Sequence, residues 1–581
     1  MSRAGFFSLN IPKIARYFML LIGAVGLFIT APKVIAVPNA QSAMASSLGV
    51  IAPVTDCADL ADVDLSSIGG AGSKIASVRE VVKGDVFCEV KGMLKPSINF
   101  TVLLPLNSWT QRFLQVGCGG LCGQIQLQLD GAAGCAPLET SGFVIAATDM
   151  GHKTGEADFG NNPQKRRDFA YRGVHLTAVA TKLLINTFYG RAAKFSYFSG
   201  CSDGGREALA EAQRYPTEFN GIIAGAPAMN FQVQKAIYHG WQALSNTDAK
   251  GNAIITARQL PLIHQAVLAQ CDAKDGQEDG LLADPQNCQF DPSVLSCNTI
   301  TTDSDAGQNC LSEVQLGALR KIYDGPRDVK TGQRMAVGGP LPGSELAWAG
   351  LFVPKKEGDL NFSQGVALST LKYLNYEKNP PSTFTLKELK FTGQTLTDLA
   401  KLHPLYDATN SNLQAFYAAG GKLILWHGWA DPSISPLNTL AYHQAMAQSM
   451  GLETRQKFER LYMLPGVYHC SSGPGPSLVD FLTPMLNWVE QGVAPDSLRS
   501  YQAVSIQKKL TSKPLQGDMR LVTVPEGAAS RPIFPYPDYA VYSGKGDVAA
   551  ATSYLRKRQA MVPASYPWLG EDLFKPYQFI N

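Results

Sequence analysis

The chain is poor in charge and shows no bias of sign. Asp, Glu, Lys and Arg make up 17% of its 581 residues, and 51 basic residues face 48 acidic ones, for a net charge of +3. Electrostatic capture of nucleic acid or of a strongly charged partner needs a basic or acidic excess that this balance does not supply. After the first thirty residues no apolar run is long enough to cross a membrane. Internal repeats and low-complexity tracts are missing too, which excludes solenoids and disordered linkers as the main architecture. Histidine is scarce, at 8 residues, so the search for a general base is short.

What is present begins with an export signature. Arg3, Lys13 and Arg16 precede an apolar run from Phe18 to Ile29, and small-residue sites follow that end at Ala36 or Ala45. That is the order of a secretory signal, and the run is shorter than the roughly 20 residues of a span. Residues 1–36 are therefore expected to be removed, with cleavage as late as 45, leaving a secreted or periplasmic protein without a stable membrane span. In such a compartment the 11 cysteines read as a disulfide framework with one thiol left over. Their spacing pairs Cys57 with Cys88, Cys271 with Cys288, Cys297 with Cys310 and Cys201 with Cys470. One further pair lies among Cys118, Cys122 and Cys135.

Hydrophobic patterning gives an alternation of strand and helix. Ile98 to Leu104, Arg112 to Val116, Phe143 to Thr148, Lys194 to Phe198 and Phe219 to Ala224 read as strands, and Val174 to Phe188 and Arg206 to Arg214 as helices. The pattern breaks at about Met229. It resumes after His403 with strands at Lys422 to Trp426 and Phe458 to Leu464 and helices at Ala441 to Met450 and Leu478 to Glu490. Alternating β and α predicts an α/β fold, a parallel sheet with helices on both faces. The expected layout is a first part over 46–228, a large insertion over 229–403 and a second part over 404–581. The tail after Lys513, rich in Pro and Tyr, is expected to be irregular.

Two residue pairs far apart in the chain carry the chemistry. Gly200-Cys201-Ser202-Asp203-Gly204 satisfies the G-x-S-x-G pattern of a nucleophile elbow, which exposes a serine hydroxyl on a sharp strand-to-helix turn. In a chain this rich in glycine the pattern arises by chance roughly 0.3 times. His469-Cys470 adds the independent observation. Cys201 and Cys470 can be bridged only if Ser202 and His469 are neighbours, because bridged Cα atoms lie about 5–6 Å apart. The acid of a triad that runs Ser, acid, His along the chain is then Asp431, just past a late strand. His427 and Asp407 are the rivals for base and acid, one at a strand end and the other before the strand. His152, His175, His239, His264, His403 and His443 have no triad context. Gly117-Cys118-Gly119-Gly120 follows a strand directly, and the N–H groups of Gly120 and Asp203 are the expected oxyanion donors; the alternative is a plain glycine turn.

The insertion carries a dense acidic loop, Cys271-Asp272-Ala273-Lys274-Asp275-Gly276-Gln277-Glu278-Asp279-Gly280-Leu281. Three aspartates this close repel one another unless a hard cation with oxygen ligands, Ca²⁺ above all, neutralises them. A solvated acidic turn is the alternative, and the spacing is not that of an EF-hand.

Together these residues resemble the tannase and feruloyl esterase family of α/β-hydrolases, which is marked by a Cys-Ser, Asp, His-Cys arrangement. The matching residues are Cys201-Ser202, Asp431 and His469-Cys470; Gly225-Ala226-Pro227 and Arg531-Pro532 also look familial. The resemblance implies an α/β-hydrolase sheet interrupted by a lid domain. It also implies a structural Ca²⁺ on the side chains of Asp272, Asp275 and Asp279 and the backbone oxygens of Gln277 and Leu281. The implied activity is hydrolysis of small aromatic esters, feruloyl or galloyl, or in another branch mono(2-hydroxyethyl) terephthalate. On that reading the aromatics Trp348, Phe352 and Phe362 of the lid cover the acyl ring. The competing readings are a calcium-binding relative without chemistry and an acyltransferase. Oligomeric state is left open.

Overall fold

Nine strands form one mixed sheet: β1 (Lys74–Lys83), β2 (Asp85–Leu94), β3 (Ile98–Pro105), β4 (Arg112–Val116), β5 (Phe143–Thr148), β6 (Phe195–Cys201), β7 (Gly221–Gly225), β8 (Lys422–Gly428) and β9 (Glu459–Leu464). The computed structural model describes residues 45–127, 129, 131–156, 159–298, 309–503, 524–559 and 567–580. The expected signal segment lies outside the described residues. In space the strands run β1-β2-β3-β5-β4-β6-β7-β8-β9. The first three and the β3–β5 pair are antiparallel, and every pair from β5 through β4 to β9 is parallel.

Parallel strands buried on both faces read as near-continuous apolar runs, and β5, β7 and β8 do so through their middles. Val144 and Ala146, Ile222 and Ala224, and Leu423 and Leu425 belong to one hydrophobic cluster. Their neighbours Ile145 and Ala147, Ile223, and Ile424 and Trp426 belong to another. The two clusters are the two faces of the sheet, separated by the period of 2 in a strand. Helices α1 (Gly173–Tyr189), α2 (Asp203–Arg214) and α3 (Leu437–Met450) pack on the first face, and α4 (Leu482–Gln491) on the second. This is an α/β-hydrolase sheet with helices on both faces.

The chain leaves the sheet after Gly225 and returns at Lys422. Part of that excursion has its own core, with Ile263, Leu316, Leu319, Ile322, Trp348 and Phe352. A later part, from Leu371 to Phe416, joins the main core. Trp348 and Phe352 are fully buried there, with the indole N–H of Trp348 donating to Ser344 Oγ at 3.0 Å. They fill the insertion rather than cover a substrate, which corrects the expectation for both; Phe362 is exposed.

Five disulfides form: Cys57–Cys88, Cys118–Cys122, Cys201–Cys470, Cys271–Cys288 and Cys297–Cys310. Cys135 is the buried free thiol. The tail differs from the expected irregular wrap. Residues 504–523 lie outside the described ones, but Ser530–Ile533 pairs with Leu498–Tyr501, and Asp538–Tyr542 pairs with Tyr554–Arg558. Pro532 is tolerated because its strand is the edge of a three-stranded sheet.

Candidate active site

Ser202 stands at the end of β6 with φ 63° and ψ −119°, a positive-φ conformation that non-glycine residues rarely adopt. The strain is held by close packing. A Cβ on Gly200 would come within 2.5 Å of the Gly204 carbonyl carbon, and one on Gly204 within 2.9 Å of that of Gly117. Glycine at 200 and 204 therefore lets α2 start hard against the strand and the glycine loop. Ser202 N–H donates to Gly225 O at 3.0 Å and Ser202 O accepts from Ala228 N at 2.9 Å, tying the turn to the end of β7.

The loop after β9 brings His469 onto this serine. His469 Nε2 lies 2.8 Å from Ser202 Oγ, and its Nδ1 lies 2.7 Å from Asp431 Oδ2. A carboxylate only accepts, so Nδ1 carries the proton and Nε2 is free to take one from the serine. The Cys201–Cys470 bridge, with Cα atoms 5.9 Å apart, joins the residues flanking nucleophile and imidazole. Ser202 is 8% exposed and the His469 side chain 27%, so the pair is reached by solvent chiefly from the histidine side.

Asp431 is fully buried. Its Oδ1 accepts the Ser433 and Ile434 N–H groups at 2.8 and 3.1 Å, and its Oδ2 also faces His427 Nε2 at 3.1 Å. Burial works against ionisation, but the His469 charge and the bonds from His427 and His469 outweigh it and hold the carboxyl below its usual range. His427 is thus a second orienting partner of the acid, a role its sequence position did not signal. Its Nε2 faces two acceptors, Asp431 Oδ2 and Ile434 O, and its Nδ1 meets Thr439 Oγ1 at 2.8 Å. The rival acid Asp407 is engaged by His403 Nδ1 at 2.7 Å and by Gln232 N–H.

The oxyanion side is built from α2 and the glycine loop. Asp203 is the first residue of α2, where backbone N–H groups lack intrahelical acceptors. Its side chain turns away into a buried pair with Arg206, at 2.7 and 2.9 Å. In the glycine loop the N–H groups of Gly117, Cys118, Cys122 and Gly123 are bonded within the protein. Those of Gly119 and Gly120 have no such partner among the described residues, and Gly120 sits at φ 69° with open space around it. The loop is braced by the Cys118–Cys122 disulfide and by Glu207 Oε2, which accepts the Cys118 N–H at 3.2 Å. Burial, then the Asp203 charge, raises the Glu207 carboxyl well above its usual range. The two sulfurs beside Glu207 Oε1 are bonded to each other, so they offer no thiolates to a metal.

Most of the other histidines pair with carboxylates away from the nucleophile: His175 with Glu218, His264 with Glu345, His443 with Glu459. His152 Nε2 lies 2.8 Å from Leu121 O, beside the glycine loop. His239 is different. It is fully buried, and burial, followed by the nearby cationic groups Lys235 and His469, pushes its ring well below the usual range.

The acidic loop of the insertion places Asp272, Asp275 and Asp279 around a tight turn. Asp272 Oδ2 accepts Gly280 N–H at 2.8 Å, while its Oδ1 is buried with no partner among the described residues. Burial, with smaller contributions from Asp279 and Asp272, raises the Asp275 carboxyl to about 6. Asp279 also pairs with Arg531 of the tail. Gln277 Oε1 accepts from the Tyr554 hydroxyl at 3.2 Å, and Leu281 is buried. An orphaned buried carboxylate oxygen among hard oxygen donors fits a cation of the calcium type.

The family described as Tannase and feruloyl esterase matches residues 79–557. The mono(2-hydroxyethyl) terephthalate hydrolase of Piscinibacter sakaiensis is 30% identical over 535 residues, covering 80% of this chain and 84% of that one. A probable feruloyl esterase B-2 of Aspergillus flavus is 31% identical over 437 residues, covering 72% and 79%. The crystal structure of feruloyl esterase B from Aspergillus oryzae superposes with a TM-score of 0.72 at 24% identity, over 86% of this chain and all of that one, a likeness of fold.

Proposed function

The chain belongs to the tannase and feruloyl esterase family, and we propose that it is an exported serine carboxylesterase acting on esters of aromatic acids through an acyl-enzyme. The observation that carries this reading is the hydrogen-bonded line Ser202 Oγ, His469 Nε2, His469 Nδ1 and Asp431 Oδ2, at 2.8 and 2.7 Å. His469 takes the serine proton as Oγ attacks the ester carbonyl. Asp431 keeps the imidazole in the accepting tautomer and stabilises the imidazolium. The N–H groups of Asp203 and Gly120 take the charge that develops on the carbonyl oxygen, each donor worth about 2.7–4 kcal/mol in the transition state. Collapse expels the alcohol with the proton from His469, and the same imidazole then activates water to release the acid.

Feruloyl and galloyl esters are the first substrates we assign, following the family. Hydrolysis of aromatic monoesters like mono(2-hydroxyethyl) terephthalate is the second reading, supported by the Piscinibacter relative. Asp272, Asp275 and Asp279, with backbone oxygens of Gln277 and Leu281, would hold Ca²⁺. When bound, the ion would neutralise the clustered carboxylates and pin the loop, a structural contribution remote from the serine. The five disulfides support export, and among the described residues no helix is long and apolar enough to cross a membrane.

The test is a hydrolysis panel of methyl gallate, methyl ferulate, chlorogenate and mono(2-hydroxyethyl) terephthalate with the native chain and Ser202→Ala. The native chain is expected to hydrolyse at least one ester and to be labelled by a fluorophosphonate, and the variant to do neither while keeping its near-UV circular dichroism. Hydrolysis retained in Ser202→Ala removes the mechanism.

A further inference from the structure

We propose that the first turn of the insertion, through Lys235 and His239, forms an anion subsite that recognises a carboxylate carried by the substrate in addition to the scissile ester. The proposal deepens the esterase reading and rests on it for the identity of the ligand as an ester.

The topology puts this turn beside the site. β7 lies between β6, which ends on Cys201 next to Ser202, and β8, which ends three residues before Asp431. The chain leaving β7 must therefore pass between nucleophile and acid. It does so with Ala228 N–H bonded to Ser202 O at 2.9 Å and the Tyr238 hydroxyl to Pro432 O at 2.8 Å. The Gln234 amide reaches Ser433 O. Between those anchors Val233–Tyr238 winds as a π-helical stretch, a rare conformation found mostly at functional sites.

Lys235 sits in that stretch at 5% exposure. Its ammonium makes no ion pair or hydrogen bond among the described residues. The charges that reach it are those of Asp203, Arg206 and Asp431, and both acids are already committed. Asp203 is paired with Arg206, and Asp431 accepts two imidazoles and two backbone N–H groups. Lys235 is largely withdrawn from water, and burial lowers its pKa, so an anion placed beside the ammonium is what would hold it charged. The missing partner is an anion that arrives with the ligand.

His239, four residues on and so on the same side of the helix, supplies a second unfilled group. Its Nδ1 meets Ser363 Oγ at 2.9 Å, while Nε2 is buried without a partner among the described residues. The tautomer in which Ser363 donates to Nδ1 is the one that offers an N–H at Nε2 to an anion, and the proposal takes that tautomer. The exposed ring of Phe362 stands edge-on to His239, with centroids 6.0 Å apart, an apolar wall beside two cation-and-donor groups. An ammonium, an imidazole N–H and an aromatic wall next to a serine nucleophile are complementary to an aromatic or cyclic carboxylate.

The experiment measures kcat/KM of the full chain on two matched pairs. One is monomethyl terephthalate against methyl 4-methylbenzoate, with the charge on the acyl half; the other is chlorogenate against its methyl ester, with the charge on the alcohol half. The charged ester is expected to be preferred at least tenfold in one pair, which locates the subsite. Lys235→Met should shrink that preference to within threefold, and Lys235→Arg should keep a measurable part of it. No preference in either pair, or a preference that survives in folded Lys235→Met, overturns the proposal. Calorimetric binding of the same four esters to Ser202→Ala needs no turnover and no change at Lys235. A charged-ester preference there, with no hydrolysis by the native chain, would remove the esterase reading and keep the subsite. Equal binding within both pairs would remove the subsite whatever the turnover.

Discussion

Replacing Asp431 with Asn tests the site at the carboxylate on which four donors converge. In the native protein Oδ1 takes the Ser433 and Ile434 N–H groups, and Oδ2 faces His469 Nδ1 at 2.7 Å and His427 Nε2 at 3.1 Å. An amide has one oxygen, and the two backbone donors cannot turn away, so that oxygen stays on the Oδ1 side. The NH₂ group then faces both imidazoles. His427 can keep its ring proton on Ile434 O, 3.0 Å away. Among the described residues His469 Nδ1 has no second acceptor, so Nδ1 becomes the acceptor of the amide N–H and the ring proton moves to Nε2. That is the atom which must accept from Ser202, and the reactive tautomer is lost. Loss of this tautomer costs about 10⁴ in kcat, or about 5.4 kcal/mol at 1.36 kcal/mol per factor of ten. KM should stay within a few-fold, because no substrate contact is removed. Steady-state kinetics on the best ester of the panel, with near-UV circular dichroism and Tm as controls, give the answer. A folded Asp431→Asn protein that keeps more than a hundredth of native kcat, or loses activity mainly through KM, refutes the reasoning.

Other expectations follow from the same geometry. Removing the Cys201–Cys470 bridge as a double Ala variant opens a loop of 269 residues, worth at most about 5–6 kcal/mol in the chain-entropy treatment. Tm should fall, and kcat should drop even well below the unfolding temperature. Unchanged kcat in that folded variant would show that the bridge does not position His469. Dialysis against a calcium chelator should lower Tm and added Ca²⁺ should restore it, by about 2.7 kcal/mol at a hundredfold excess over Kd; Asp272→Asn should abolish the response, and a Tm indifferent to both treatments removes the ion. Burial raises the Asp480 carboxyl to about 6, above its unfolded value near 4. Between those values the folded state binds the extra proton, so stability falls as pH rises through the window, by at most about 3 kcal/mol. Asp480→Asn keeps an acceptor for Thr483 N–H and should flatten that fall in denaturant titrations from pH 4 to 7; an identical slope in the variant refutes the assignment.

The elements that sequence patterning found are those whose surroundings are uniform. β4, β5, β7 and β8 are buried on both faces, so their apolar runs have no competing explanation. The β1–β2 hairpin went unread because β1 is largely exposed along its length. It is held by backbone pairing and by partners such as Arg79 with Glu89, with only Ile75, Val78 and Val81 packed in part against the core. The strands of the tail were hidden by Pro532, Pro535 and Pro537, which look like breakers until the edge position that tolerates Pro532 is known. Within the site, Ser202, Asp431 and His469 were legible because each follows a strand and two of them adjoin a cysteine. His427 was read as a rival base rather than as a partner of the acid, His239 as outside the triad, and Lys235 was not singled out, since nothing local in the chain marks which side of a buried helix or strand end faces the reaction.

The difference between those two groups of residues has a topological cause. The glycine loop, Ser202, Asp431 and His469 follow β4, β6, β8 and β9, which lie side by side with only β7 among them. In open α/β sheets the carboxyl ends of the strands form the ligand crevice, so four loops far apart in sequence meet without any help from the insertion. β7 contributes no reacting group. It contributes the exit point from which the insertion must cross the site, between the strand of the nucleophile and the strand of the acid. A hydrolase sheet interrupted there can keep its chemistry constant while the first turn of the inserted segment changes which ester is admitted. Lys235 of that turn makes no ion pair among the described residues, and if it recognises a carboxylate as proposed, the selectivity of this chain should follow the charge of its ester more closely than the identity of the aromatic ring.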